Sequence, residues 1–124
     1  MISLFQRKYP YYERLLMTKK IMLKYPDKIP IICEKYFYAK NNCPNIEKIK
    51  YLVPLNFKIY EFIQVIRNQI KLNKEEALYI IINGDTMVSQ ESIMIHVYHK
   101  YKNIDDFLYI NYNIESTFGY GVIP

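Results

Sequence analysis

The sequence contains few of the residues on which chemically specialised sites depend. It has two cysteines, three glycines and no run near the ~20 apolar residues of a membrane-spanning helix. No glycine-rich phosphate loop, nucleophile elbow or zinc-protease motif occurs. The N-terminus turns polar at once, so no signal peptide is expected. These absences favour a reduced, cytosolic and soluble protein, in which Cys33 and Cys43 are inert small side chains.

Two residue pairs could suggest further chemistry. His96 and His99 are three apart on a predicted helix, but two ligands without a cysteine or carboxylate nearby do not make a metal site. Asp105 and Asp106 precede a predicted strand in a loop, where such a pair is usually solvated. We therefore expect no metal, no cofactor and an exposed acidic pair.

The charge is unevenly distributed along a chain that is long enough for one domain. Residues 1–58 carry +8 (twelve Lys and Arg, four Asp and Glu), whereas residues 59–124 carry −3 (five and eight). Such asymmetry indicates a basic surface for an acidic partner, either a phosphate backbone or an anionic membrane. A solvated basic face without a partner is the alternative.

Hydrophobic periodicity and turn residues divide the chain into eight elements. We predict a helical turn (3–9), an amphipathic helix with a basic side (10–24), two strands (29–37, 48–54), a helix capped by Asn56 (57–70), a strand (78–82), a helix from about Ser89 to Tyr101 and a strand (107–112). This order predicts an α+β, ubiquitin-like β-grasp fold: a four-stranded mixed sheet with two additional N-terminal helices. The domain division is an N-terminal helical extension (1–26), the ubiquitin-like core (27–114) and a flexible C-terminal tail (115–124).

The stretch 48–54 has neither a cleanly polar nor a cleanly apolar face. Side-chain alternation in a strand separates two sets of residues, which are Lys48, Lys50 and Leu52 on one face and Ile49, Tyr51 and Val53 on the other. Pro54 closes the run, as proline does at a sheet edge. The following helix is apolar over more than one face. Both features predict a groove beside this strand.

Several motifs occur in an order and spacing that chance agreement does not explain. They are Lys24-Tyr25-Pro26-Asp27-Lys28-Ile29-Pro30-Ile31-Ile32, Glu34-Lys35, Lys50-Tyr51-Leu52-Val53-Pro54, Asp106-Phe107-Leu108-Tyr109 and Glu115-Ser116-Thr117-Phe118-Gly119. Over residues 9–119 the chain resembles the autophagy-related protein 8 family of ubiquitin-like modifiers.

The resemblance implies a protein that is not an enzyme but is processed by enzymes. A processing cysteine protease would cleave between Gly119 and Tyr120, and activating and conjugating enzymes would link Gly119 to phosphatidylethanolamine on the growing autophagosome membrane. Glycine suits a narrow active-site channel because it has no side chain. Gly121 is a second glycine that could serve. The protein would be cytoplasmic before conjugation and lipid-anchored on the autophagosome afterwards.

The resemblance also implies a groove for cargo receptors and adaptors that carry an aromatic-x-x-aliphatic motif, bound by β-augmentation. A first pocket, for the aromatic residue, would be lined by Ile21, Pro30, Ile32, Lys50, Leu52 and Phe107. A second pocket, for the aliphatic residue, would be lined by Tyr51, Val53, Pro54, Phe57, Phe62 and Val65. A charged rim of Lys48, Lys50 and Arg67 would face acidic residues that flank the motif.

The chain departs from the family's pattern at several points. Met17 stands where relatives often carry an acidic residue, and Ile49 replaces a frequent lysine, so the preferred partners are not determined. Loop 38–45 is longer than in close relatives, and a five-residue tail follows Gly119, which implies that proteolytic activation is required.

Two alternatives stand beside this interpretation. One is a ubiquitin-like interaction protein that is never lipidated. The other is a nucleic-acid-binding domain, suggested by the basic charge and the 14 tyrosines. Neither inner strand has the basic-glycine-aromatic signature of an RNA-recognition sheet, so we expect no nucleic acid among the partners.

Overall fold

The computed structural model describes residues 3–116, so Gly119, Tyr120 and Gly121 lie outside the described residues. Within this range the chain forms α1 (Leu4–Lys8), α2 (Tyr11–Lys24), β1 (Lys28–Lys35), β2 (Lys50–Pro54), α3 (Ile59–Gln69), β3 (Glu76–Ile82), α4 (Met94–Tyr101) and β4 (Leu108–Ser116). The order of helices and strands is the predicted one. No helix among these residues is both long enough and apolar enough to cross a bilayer.

The four strands form one mixed sheet in the order β2-β1-β4-β3. β1 pairs with β2 and β3 pairs with β4 in antiparallel fashion, while the two central strands β1 and β4 are parallel. This arrangement confirms the predicted mixed sheet with two preceding helices. β1 is covered on both faces, because Ile31 and Ile32 point to opposite sides and both are buried. Such double coverage explains its nearly continuous apolar sequence.

Each face of the sheet has its own apolar cluster. We call the larger one the main core; its fully buried members include Ile31, Phe62, Ile66, Ile82, Met94 and Leu108 from the sheet, α3 and α4. We call the smaller one the second cluster; it contains Phe5, Ile32, Phe107 and Tyr109, with Tyr9, Met17, Ile21 and Ile49 packed against it. The second cluster therefore lies between the sheet and the two N-terminal helices.

Both α3 and α4 begin later than predicted. The segments in front of them are extended and pair with each other, because Ile59 donates to the carbonyl of Ser92 and Met94 donates to that of Phe57. Neither predicted cap is used: α3 begins after Lys58 and α4 begins after Ile93. This long-range pairing overrides the local capping preference of Asn56 and Ser89.

The last strand is longer than predicted. β4 continues past residue 112 because it pairs with β3 as far as Ser116, opposite Glu76, and β3 starts two residues before its predicted start at Leu78. The turn predicted at Asn83-Gly84 is confirmed, since φ is 53° at Asn83 and 74° at Gly84.

The apolar side of α2 packs less than predicted, because Leu23 is 87% exposed and Tyr12 is 70% exposed.

Candidate functional site

β2 is the outermost strand on one side of the sheet, and its outer backbone edge is the first element of the site. Cys33 of β1 donates its N–H to the carbonyl of Ile49 at 2.8 Å, and Ile31 is paired with Tyr51. Alternate residues of an antiparallel strand face the same neighbour. Tyr51 and Val53 therefore direct their backbone groups toward β1, whereas Lys50 and Leu52 direct theirs to the outer edge.

The structure brings the six predicted first-pocket residues to one side of the sheet. Ile32 and Phe107 are buried in the second cluster, with Pro30 buried beside them on β1 and Ile21 half-buried on α2. Leu52 and Lys50 are exposed on β2, above this floor. The result is an apolar floor next to a backbone edge that faces outward.

Lys50 spreads over the second cluster. Its Nζ lies 5.5 Å from the ring centroid of Phe5, 5.8 Å from that of Tyr9 and 4.0 Å from the Sδ of Met17. An ammonium group over aromatic faces is attracted by the ring quadrupoles. A shallow cavity of about 480 Å³ beside it is lined by residues that include Phe5, Tyr9, Lys48, Ile49 and Lys50. Of the six predicted first-pocket residues this cavity touches only Lys50, so it lies beside that pocket, toward α1 and Lys48.

Sequence reasoning missed the contribution of α1 to this site. Phe5 is buried, and its ring lies 5.3 Å from that of Phe107 in an edge-to-face arrangement. Ser3 and Gln6 form a capping box at the start of α1. The spacing of a serine and a glutamine three residues later was the signal that could have indicated a fixed helix here.

Glu34 holds the start of α1 against the sheet. One of its carboxylate oxygens accepts the N–H of Phe5 at 3.1 Å. Burial raises the pKa of Glu34, and the hydrogen bonds from Phe5, Ser3 and Leu4 oppose that rise. A negative side chain at a helix N-terminus also complements the helix dipole. The position of Phe5 over Phe107 therefore depends on a residue of β1.

Three of the six residues of the second predicted pocket are buried, the same number as in the first. Tyr51, Val53 and Phe62 are buried in the main core, where the rings of Tyr51 and Phe62 lie 5.7 Å apart. The hydroxyl of Tyr51 donates to the carbonyl of Lys48 at 2.6 Å, and burial raises the pKa of Tyr51 to about 12. The remaining three residues, Pro54, Phe57 and Val65, are half-buried and form the accessible part.

The predicted rim residues are not equally free to bind acidic residues of a partner. Lys48 is exposed, with its Nζ 5.5 Å from the ring centroid of Tyr51. Arg67 instead donates to the carbonyls of Glu76 at 3.0 Å and Asn73 at 3.4 Å.

The predicted alternation is wrong at Ile49, which precedes β2 and packs on the second cluster rather than beside Tyr51. Regular alternation starts only where the strand itself starts.

The prediction that both aspartates before β4 are solvated is wrong for Asp105. This side chain has no exposed surface and forms an ion pair with Arg14 of α2. It also accepts the hydroxyl of Tyr109 at 2.6 Å and the N–H of Phe107 at 2.8 Å. Burial, and after it the hydrogen bond that its hydroxyl donates to Asp105, raises the pKa of Tyr109. We call Arg14, Asp105 and Tyr109 the polar latch, because they fasten α2 to the sheet.

The other candidate chemical groups lie apart from the groove. His96 and His99 are exposed on α4. Within residues 3–116 no three His, Cys, Asp or Glu side chains are grouped so that they could hold a metal ion. Cys33 and Cys43 are free and buried, and burial raises the pKa of both thiols. Neither cysteine is positioned to act as a nucleophile at the surface.

Comparison with known proteins gives a consistent result. The family model described as "Autophagy protein Atg8 ubiquitin like" matches residues 13–119. Autophagy-related protein 8 of Candida glabrata is 41% identical over 120 residues, covering 97% of this chain and 99% of the relative. The Saccharomyces cerevisiae relative of the same name is 39% identical, covering 96% and 99%. The crystal structure of Trypanosoma brucei ATG8 superposes with a TM-score of 0.86 at 33% identity, covering 96% of this chain and all of that one.

Proposed function

The chain belongs to the Atg8 family of ubiquitin-like autophagy proteins, and on that basis we propose that it is a modifier attached through Gly119 to phosphatidylethanolamine. Two observations support Gly119 as the attachment residue. The family match ends at residue 119, and the last described residue of β4, Ser116, precedes it by only three positions. Gly119 would therefore follow the end of the central strand β4 after a short tether.

The attachment requires a sequence of partners. A cysteine protease removes Tyr120 to Pro124 by cleaving between Gly119 and Tyr120, and activating and conjugating enzymes transfer the exposed glycine to the lipid. A glycine at this position suits narrow enzyme channels, because it adds no side chain to the strand that enters them. The protein then moves from the cytoplasm to the autophagosome membrane as a lipid-anchored form.

The groove at β2 is proposed to recruit cargo receptors and adaptors. The observation that carries this proposal is the outward backbone edge at Lys50 and Leu52, which lies beside an apolar floor. A partner segment adds a strand along this edge, places its aromatic residue over Ile32 and Phe107, and places its aliphatic residue against Pro54, Phe57 and Val65. Main-chain hydrogen bonds supply affinity, while the two pockets, spaced along one strand, supply specificity.

Charge is a secondary term in this recognition. Lys48 and Lys50 are exposed near the first pocket and can face acidic residues that precede the partner's aromatic residue. Exposed pairs of this kind contribute ~0–1 kcal/mol each, so they adjust association rate and preference more than affinity. Arg67 contributes less than the two lysines, since its guanidinium is already bound to two carbonyls.

The groove is tested with a labelled peptide that contains the aromatic-x-x-aliphatic motif. Replacing Lys50 and Leu52 with Ala is expected to weaken binding at least tenfold, about 1.4 kcal/mol, by fluorescence polarisation. A matched control, Lys100→Ala with Met87→Ala, removes an exposed lysine and an exposed apolar residue elsewhere and should leave affinity unchanged. Equal affinity of both double variants and the parent chain would place the groove somewhere else.

The attachment is tested by mass spectrometry of the protein from its own cells. A species that ends at Gly119 and is heavier by one phosphatidylethanolamine is expected, and Gly119→Ala should abolish it without affecting the fold. Gly121→Ala is the control and should have no effect. A single species that ends at Pro124 would instead support an interaction protein that is never lipidated.

A further inference from the structure

A cavity of about 530 Å³ lies on the side of the sheet that carries the second cluster, next to the start of α1. Its walls come from the start of α1, the end of β1 with the three aromatic residues after it, the turn 83–85, and β4 with the loop before it. We call it the polar cavity. The structure describes all twelve residues predicted for the two groove pockets, and none of them lines it. The polar cavity is therefore separate from the groove at β2.

The charge of the polar cavity is opposite to that of the whole chain, which has 17 Lys and Arg and 12 Asp and Glu. The described residues that line the cavity include the carboxylates of Glu34 and Asp85, and none of them is Lys, Arg or His. A phosphate group of a lipid, a phosphorylated side chain or a nucleic acid would find no positive side chain in this lining. The lining therefore favours a cationic ligand.

Two asparagines of the lining use their amide nitrogens within the protein. Asn83 donates to the carbonyl of Tyr101 at 3.1 Å, and Asn111 donates to the carbonyl of Glu34 at 3.3 Å. The side-chain oxygen of Asn111 lies beside Gly84, where a Cβ atom would stand 3.6 Å from it and glycine has none. An amide whose nitrogen donates inside the fold offers its oxygen to a ligand. The asparagine oxygens therefore add hydrogen-bond acceptors to the two carboxylates.

Three aromatic rings, those of Tyr36, Phe37 and Tyr38, form one wall of the polar cavity. The ring centroids of Phe37 and Tyr38 lie 5.0 Å apart with their planes at 86°, and those of Tyr36 and Tyr38 lie 5.7 Å apart with their planes at 64°. Phe37 is 65% exposed and Tyr38 is 70% exposed. Rings at steep angles to one another turn their π faces in more than one direction, and a cation is attracted to such a face. The exposed rings suit a side chain that a partner presents from its own surface.

We propose that the polar cavity binds the guanidinium group of an arginine on a partner protein. A guanidinium carries five N–H donors in one plane, and it binds both to carboxylates and to aromatic faces. Its flat face stacks on a ring of the aromatic wall, while its edge donates to the carboxylates and the asparagine oxygens. The ammonium group of a lysine has no such plane and is more strongly hydrated, so it fits the cavity less well.

The polar cavity leaves the groove at β2 free. It has only Glu34 in common with the cavity beside Lys50. From α1 and its cap, Ser3 and Gln6 line the polar cavity, whereas Phe5 is among the residues that line the other. A partner strand at β2 and an arginine in the polar cavity can therefore be bound at the same time. The inference depends neither on that groove nor on the attachment at the C-terminal glycine.

The probe is the blocked peptide acetyl-Gly-Arg-Gly-amide, added to the isotope-labelled full-length protein and followed by two-dimensional NMR. Saturable shifts are expected for the side-chain amide signals of Asn83 and Asn111 and for the backbone signals of residues 36–38. The same peptide with citrulline in place of arginine keeps the shape but loses the charge, and it should produce no saturable shift. The lysine peptide should bind more weakly than the arginine peptide.

Two variants change the polar cavity without altering Glu34, which also holds α1. Asp85→Asn and Tyr38→Ala should each weaken binding of the arginine peptide about threefold, the size expected for an exposed ion pair or an exposed cation–π contact. The matched controls are Asp27→Asn, which changes another exposed aspartate, and Tyr12→Ala, which removes a tyrosine that is also 70% exposed. Both controls should leave the affinity unchanged, and circular dichroism checks that all four variants are folded.

Equal shifts with the arginine and citrulline peptides would overturn the proposal, since recognition would then not need the positive charge. Equal affinity for the lysine and arginine peptides would also overturn it, because the planar group would then play no part. The same holds for shifts confined to residues outside the polar cavity, and for an affinity that neither Asp85→Asn nor Tyr38→Ala lowers. Because the probe involves neither lipid attachment nor the groove at β2, these outcomes are independent of the proposed function.

Discussion

The two faces of the sheet are built in different ways. The main core fills the space between the sheet, α3 and α4 with apolar side chains, and Phe62, Ile66 and Met94 have no exposed surface. The second cluster has only four buried apolar members, and the N-terminal helices above it are fastened by the polar latch and by the contact between Glu34 and α1. The predicted first pocket lies on this second face.

The two predicted pockets differ in which side chains remain accessible, although three of six residues are buried in each. A close-packed core has no room for another ring, since its density is already that of an organic crystal. The second cluster is equally closed at Ile32 and Phe107, each 1% exposed, and the accessible first-pocket side chains are Lys50 and Leu52 on β2 with half-buried Ile21. The second pocket reaches the surface only through Pro54, Phe57 and Val65, because its other residues belong to the main core.

The largest effect is expected from deleting a phenylalanine on the main-core side. Phe62→Ala should lower the free energy of unfolding by about 3–5 kcal/mol, because the cavity cannot collapse between α3 and the sheet. Phe5→Ala deletes an equally buried ring from the second cluster and should cost clearly less, since α1 can undock without opening the sheet. Urea denaturation measures both values. Equal losses in the free energy of unfolding would mean that the two faces of the sheet unfold as one cooperative unit.

The next effect concerns the polar latch. Asp105→Asn should lower the free energy of unfolding by about 3 kcal/mol, the lower end of the range for breaking a buried ion pair, and Arg14 is then left without its charged partner. The control, Asp106→Asn, removes an exposed pair with Lys102 and should cost about 0–1 kcal/mol. If the two variants unfold at the same urea concentration, the latch does not hold the second face.

A further effect, which develops gradually with pH, is a loss of stability in alkali. Burial raises the pKa of Tyr51 and of Tyr98 in the main core to about 12, and it also raises the pKa of Tyr109 in the second cluster. An unfolded tyrosine ionises near a pH of about 10, so the unfolded state loses its protons first as the pH rises. The free energy of unfolding should therefore be constant below about pH 9 and fall between about pH 10 and 12.

Denaturation curves recorded at intervals from pH 8 to pH 11 would show this loss. Because raised-pKa tyrosines lie on both faces of the sheet, both faces should lose stability together as the pH rises. Each substitution described above perturbs one face. A free energy of unfolding that stays level across that interval would contradict burial as the cause of the raised pKa values.

Much of the architecture followed from local patterns. The order of elements, the mixed sheet and the Asn83-Gly84 turn were predicted from periodicity and turn chemistry, and the structure confirms them. The late starts of α3 and α4 were not predictable in this way, because the bonds between Ile59 and Ser92 and between Phe57 and Met94 join segments far apart in sequence.

The candidate site, too, was predictable from the sequence only in part. Alternation along 48–54 predicted which β2 residues face outward, and the family motifs named the pocket residues. The place of Phe5 over Phe107 and the burial of Asp105 were missed, since both depend on how the N-terminal helices dock. A five-residue helix has too few positions for a periodic signal, and an acidic residue in a loop usually indicates solvent.

The sequence by itself determined the family, the order of the elements and the strand that offers its edge, because these depend on residue spacing and on motifs read along the chain. Only the tertiary structure decided which residues of each predicted pocket remain accessible, that Arg67 already binds two carbonyls, and that Asp105 is buried. The physical reason is the same in each case. Burial and proximity depend on contacts between residues far apart in the chain, and these are set when the helices dock on the sheet.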